Sequence, residues 1–464
     1  MRSARRNIIF SVPMRLLTVM LIMLVSIGLM VGCGATPSGV SSDKGRVYFL
    51  NSKAEIVDQL EELARTYTEL TGVEVVVRTA ASGTNNQSLV AELAKSSAPT
   101  MFNIAGYDQF VRFMKYMRPL QDTEIYQLLT QEGKENAYMQ DGNAYTLPYA
   151  GEWYGIIYNK KILREYMNHD YAVIHSLEEL NSYQTLVKVT QSMSEHAQEL
   201  GLSGVWASPG LDASNDYRFA GHMIRVPMFY EFKDRNVHFS TQLKGTYLDE
   251  YKNLFDLQVK YSPTQQKTML SSVSYDDSTT QFARGEVAFY TNGTWSYTDI
   301  QGNSVSDDDL GLLPYYMGIP GEEDYGPFSI YDANWAINKN ASEKDQQASL
   351  DFIKWILTSD EGREAISQDM GLAAPFTTFT QEYQPKNPLI LAAQSYEVQG
   401  KKSPYSPTVP GTQWHDDLVS ALIEYVQGTD TWARVQTVIT KNWTEEWDNY
   451  KAETGVVPAD GTFE

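Results

Sequence analysis

Apolar residues recur at helical spacing over Ala54–Leu70, where Ile56, Val57, Leu60, Leu63, Ala64, Tyr67 and Leu70 line one face. The Thr71-Gly72 pair that follows stops the helix. On either side the pattern shortens to β-rich runs, RVYFLN before and VEVVV after, which predicts a β-α-β unit. A second unit follows at once. SGTNNQ leads into the helix SLVAELAK, Ala98-Pro99 breaks it, and MFNIA reads as the next strand. Alternating strands and helices predict a doubly wound α/β lobe whose ligand edge lies at the carboxyl ends of its strands. Two polar loops fall on that edge: Ser82 to Asn86, and Gly106, Tyr107 and Asp108. Such residues also make turns and helix caps, and of the set Asp108 beside Tyr107 is the stronger ligand candidate.

The stretch DGNAYTLPYAGEWYGIIYNKKILREY, residues 141–166, reads as a turn, a strand that crosses from one domain into another, and a helix. Side chains alternate faces along a strand, so Glu152, Trp153 and Tyr154 cannot all enter one core. At least one of them is expected to face a cleft, although an edge strand with a solvated glutamate would fit the same pattern. Farther on, Asn215, Asp216, Tyr217 and Arg218 form a polar and aromatic cluster leading a helix, where capping and ligand roles are both open. EVAFYTNG is a strand that delivers Trp295 and Tyr297 at its carboxyl end. YGPFSIYDANWAINKN reads as a strand pair with Tyr331, Asp332, Asn334 and Trp335 near its bend. Pro410-Gly411 opens a helix that presents Trp414 in its first turn, while Trp355, Trp432, Trp443 and Trp447 are assigned to packing.

The first 32 residues differ from the rest. Arg2, Arg5, Arg6 and Arg15 precede the apolar run LLTVMLIMLVSIGLMVG, which meets the chain's one cysteine, Cys33. The run is short for a membrane span and has the layout of an export signal. LMVGC resembles the lipobox of bacterial lipoproteins, with Met30 where that pattern prefers Leu. The resemblance implies that Cys33 becomes the lipidated first residue of the mature chain, held in the membrane by acyl chains such as palmitate. Residues 33–45, rich in Gly, Ser and Pro, then read as a flexible tether. Without the first 32 residues the chain carries 33 basic and 58 acidic residues, a net charge of −25, which opposes nucleic-acid binding. The six histidines, His169, His175, His196, His222, His238 and His415, show no metal-ligand spacing, and no GxxxxGK phosphate loop occurs.

Four stretches, LPYAGEWYGIIYNKKIL, FARGEVAFYTNGTWSY, SEKDQQASLDFIKWILTSDEGREAI and PGTQWHDDLVSAL, stand in the order seen in the extracellular solute-binding proteins of family 1. The chain resembles these carbohydrate-binding lipoproteins of ABC importers over most of residues 46–450. The resemblance implies two α/β lobes joined by a hinge: residues 46–150 with about 327–366, and residues 151–326 with about 367–464. It implies a sugar held between them, a Glu152 carboxylate on its hydroxyls, Trp295 and Trp414 as aromatic platforms, and Asp216 with Tyr217 as a further acidic and aromatic pair. Trp153 and Tyr154 are bulkier than their counterparts in the maltose binder. The family further implies no catalysis and no cofactor, with membrane permease subunits as partners and ATP hydrolysis left to a separate subunit. A secreted glycosidase is the rival reading, because paired carboxylates among Glu152, Asp216, Asp108 and Asp332 would also suit that chemistry. A binding protein for a metal or another non-sugar solute is the second rival.

Overall fold

The computed structural model describes residues 44–81, 83–459 and 461–463. The export segment, Cys33, most of the tether and Ser82 lie outside the described residues. Nine strands are formed in chain order: β1 Arg46–Asn51, β2 Glu74–Thr79, β3 Met101–Ile104, β4 Met139–Gln140, β5 Asn143–Ala144, β6 Leu147–Asn159, β7 Phe289–Gly293, β8 Leu310–Leu313 and β9 Phe328–Ile337. β4 and β5 make a small hairpin, and the other seven share one sheet.

The helix Val57–Thr71 forms where the apolar stripe places it, and Gly72 ends it in the left-handed conformation at φ 71°, its N–H bonded to Thr68 O. That turn returns the chain beside β1, which pairs in parallel with both β2 and β3. β9 then pairs antiparallel to β3, and β6 antiparallel to β9. The expected strand pair at 325–340 is one ten-residue strand. Twelve of the thirteen β6 residues are buried, as a strand covered on both faces must be. Its first half pairs with β9 and its second with β7 and β8, so one strand serves both ends of the sheet.

Pairing between β6 and β9 is interrupted twice. Ala150 faces Ala333 and Glu152 faces Ile330, leaving Gly151 opposite two residues, Tyr331 and Asp332. Pro148 faces Asn334, which leaves Tyr149 as an extra residue on β6. Bulges of this kind turn side chains out of the regular alternation.

The interior divides in the same place. Two apolar clusters draw on residues 47–150 and 333–383, and two on residues 153–330 and 389–450. Met370, Leu372, Phe376, Phe379 and Tyr383 pack with the first group. The fold is two-lobed α/β, with β6 and β9 running through the seam. Among the described residues no helix is long and apolar enough to cross a membrane.

Candidate functional site

β1 ends at Asn51, and the next turn places Lys53 under β6. Its ammonium lies 2.9 and 3.0 Å from the two oxygens of Glu152 and 2.6 Å from Glu55. Glu152 and Lys53 are both buried and Glu55 is half-buried, so one cation serves two carboxylates, the inner one away from bulk water. Burial holds the Glu152 carboxyl above the ordinary carboxylate range, with Lys53 pulling the other way and Glu55 adding to the rise. Burial also works against the Lys53 charge, but Glu152 and Glu55 outweigh it and leave the ammonium more basic than usual.

An aromatic corner stands beside this triad. The indole N–H of Trp295 donates to the Tyr217 hydroxyl at 3.2 Å. His222 stacks on Tyr154 at 4.4 Å, meets Tyr217 edge-on at 5.3 Å, and lies 5.1 Å from the Trp295 ring. Burial, with Arg225 and His415 nearby, keeps His222 neutral by lowering its pKa well below the usual value. Burial likewise raises the Tyr217 phenol, on which Glu55 acts through space. Trp295 reaches this corner by folding back over Gly293 after β7, where any Cβ would stand 2.1 Å from the indole. The ring itself is half-buried. The corner therefore offers flat apolar rings, neutral hydrogen-bonding groups and a charged triad within one seam.

Residues 62–392, well over half of the chain, match the bacterial extracellular solute-binding protein family. The chain belongs to that family. Solved structures of similar shape include RafE in complex with raffinose and a chitin oligosaccharide binding protein, each with TM-score 0.65 and 16% identity, covering 88% of this chain and 99% of the other. The MalE maltodextrin-binding domain of Bdellovibrio bacteriovorus bound to maltotriose matches with TM-score 0.63 and 16% identity, covering 89% of this chain and 100% of that one. At such identity the likeness shows the fold.

In this solute-binding protein the candidates read from sequence separate into two groups. Glu152, Asp216, Tyr217, Trp295 and Asp332 lie in or beside the seam. Asp216 is buried, with His415 Nε2 3.5 Å from its carboxylate. Tyr107 and Asp108 flank another part of it. Tyr107 is 6.4 Å from Tyr450 and lines a cavity of about 380 Å³ with Met139, His238 and Tyr405. Asp108 is held by Arg112 at 2.6 Å, and Arg112 also reaches Glu453 at 2.7 Å.

The others are interior side chains. Arg218 is 1% exposed and spends its donors on Thr291 O, Asn215 O and Ser278 Oγ. Trp414 is fully buried, its indole N–H donating to Val438 O at 3.0 Å. Trp335 stacks on Tyr149 at 4.1 Å within the first lobe's core. Trp153 packs with Ile157, Phe282 and Tyr290, because alternation along β6 turns it away from Glu152. Asn334 is fully buried and pins the bulge by donating to Tyr331 O at 2.7 Å. In this structure these five serve packing or scaffold.

Lys53, Glu55, His222, Arg225 and His415 were not among the sequence candidates. A buried Glu152 demands a cation, and Lys53 at the carboxyl end of β1 was the signal available. Among the described residues no group of three His, Cys, Asp or Glu could hold a metal ion.

Asp216 supports a pH prediction. Burial raises its carboxyl from 3.8 to about 6, with His415 lowering it and Asp416 raising it. Because the folded value is the higher one, the neutral acid favours the fold. That contribution is full below pH ~4 and is lost as pH rises through about 6. Asp216→Asn should therefore gain on the parent chain by ~2 kcal/mol between pH 4 and pH 7.5 in urea unfolding. A stability difference that does not change with pH would show that Asp216 titrates as an exposed carboxylate.

Proposed function

We propose that this chain is the lipid-anchored receptor of an ABC importer, anchored through Cys33, which binds a sugar or oligosaccharide between its lobes and delivers it to the membrane permease. The observation that carries this reading is the half-buried Trp295 ring, hydrogen-bonded to Tyr217, beside the buried Lys53–Glu152 pair and its partner Glu55 at the seam of two cores. Sugars present apolar C–H faces and many hydroxyls, so they are held by flat rings and charged hydrogen-bonding groups together. A ligand can favour closure only by contacting both lobes, and this site draws on both. Lys53 and Glu55 come from the first lobe, and Trp295 and Tyr217 from the second. The raffinose, chitin-oligosaccharide and maltotriose receptors of the same fold support a carbohydrate over another solute.

The test is a thermal-shift screen across mono- and oligosaccharides that includes raffinose, maltotriose and chitotriose, followed by calorimetry on Trp295→Ala. The variant should bind the best saccharide ten- to hundredfold more weakly, with its melting temperature nearly unchanged, since losing a stacked ring removes ~1.4–2.8 kcal/mol. Equal affinity would remove Trp295 from the site. Release of shorter sugars during incubation would replace the receptor reading with a hydrolase.

A further inference from the structure

Arg225 and Asp332 are charged groups at the seam that the chain leaves unsatisfied. Arg225 opens the helix Arg225–Asp234, one turn after His222, and is half-buried. Its Nε is enclosed by protein and meets no acceptor. Asp332 is also half-buried, and among the described residues neither its side chain nor that of Arg225 has a hydrogen-bond or ion-pair partner. The two sense each other without touching: burial raises the Asp332 carboxyl, and Arg225 and Lys53 draw it back. Tyr138, Tyr154 and His222 all lie within the electrostatic reach of Arg225.

Asp332 does not reach this place by ordinary strand geometry. It is one of the two β9 residues that face Gly151 alone, so a bulge sets its direction, and Asn334 holds the bulge through Tyr331 O. A guanidinium whose Nε is shut off from water without an acceptor, with a carboxylate aimed by a bulge within its electrostatic reach, is a costly arrangement. Such a conflict marks a site completed by something other than the chain.

The chemistry of the pair narrows what completes it. Arg225 can only donate and Asp332, when ionised, can only accept. A carboxylate or phosphate on the ligand would suit Arg225 and be repelled by Asp332, Glu55 and Glu152. An ammonium would suit Asp332 and be repelled by Arg225. A hydroxyl does both, and two neighbouring hydroxyls can meet the guanidinium fork and the carboxylate together. We infer that Arg225 and Asp332 grip a pair of adjacent hydroxyls on a neutral sugar ring, as a second polar contact apart from the Lys53–Glu152 triad. This rests on the carbohydrate reading above.

Calorimetry with raffinose, maltotriose and chitotriose tests it on the full chain, Arg225→Met, Asp332→Asn and the double variant. For a saccharide that the parent chain binds, each single variant should lose ten- to hundredfold in affinity. The double variant should lose clearly less than the product of the two, because both residues hold the same hydroxyl pair. Melting of the unliganded singles should stay within a few degrees of the parent, since neither has a protein partner to lose. If Arg225→Met does not fold, Arg225→Lys replaces it, which keeps the charge but not the fork. Unchanged affinity in the variants, or losses that multiply, overturns the paired grip alone. A parent chain that binds none of the saccharides overturns the carbohydrate reading and this inference with it.

Discussion

Replacing Lys53 with methionine should cost ~3–5 kcal/mol of folding stability, because it leaves two carboxylates, Glu152 and Glu55, beside each other with no cation. Urea unfolding would measure it, and the pH dependence has a definite sign. Without the ammonium the Glu152 carboxyl is harder to ionise, and protonating it removes its repulsion with Glu55. The deficit of the variant should therefore shrink as pH falls from 8 towards 5 and widen again on return. Adding Glu152→Gln to Lys53→Met should recover part of the loss at pH 8, since one uncompensated charge is then gone. A loss below ~1 kcal/mol with no pH dependence would place the triad in contact with water.

Trp414→Ala should also cost ~3–5 kcal/mol, and this loss should appear in melting and not in ligand affinity. The indole has no exposed surface, meets Trp443 edge-on at 5.3 Å, and loses a hydrogen bond to Val438 O on truncation. At a temperature where parent and variant are both folded, their affinities for a given saccharide should agree within a few-fold. Trp295→Ala should show the reverse pattern. If Trp414→Ala instead binds a hundredfold more weakly at full stability, the assignment of its ring to the core is wrong.

The contrast between these two tryptophans shows what the sequence could and could not disclose. The alternation of apolar runs made the first β-α-β units and the long β6 strand readable, because helix and strand periods are local properties. Trp295 follows a strand directly and ends half-buried in the seam. Trp414 stands in the first turn of a helix, which looks equally suited to a ligand, yet the residues that cover it, Val438 and Trp443, come from a helix farther down the chain. The interior place of Arg218 was hidden for the same reason, since its acceptor at Thr291 is 73 residues away. Lys53 escaped notice because its partner, Glu152, is 99 residues distant. The bulge that aims Asp332 leaves no periodic mark. In SIYDANWAI the polar residues interrupt the β pattern, and only the pairing register shows which strand holds the extra residue.

The order of strands in the sheet also bears on how the molecule is made. β3 has its outer edge closed by β9 and by no earlier strand, so a chain emerging in order carries an open strand edge from Ile104 until Phe328–Ile337 has been synthesised. At ordinary elongation rates that interval is roughly ten to forty-five seconds. Throughout it the amino-terminal half can assemble β1, β2 and β3 but cannot seal them, so an edge open to pairing with other strands persists until β9 is made.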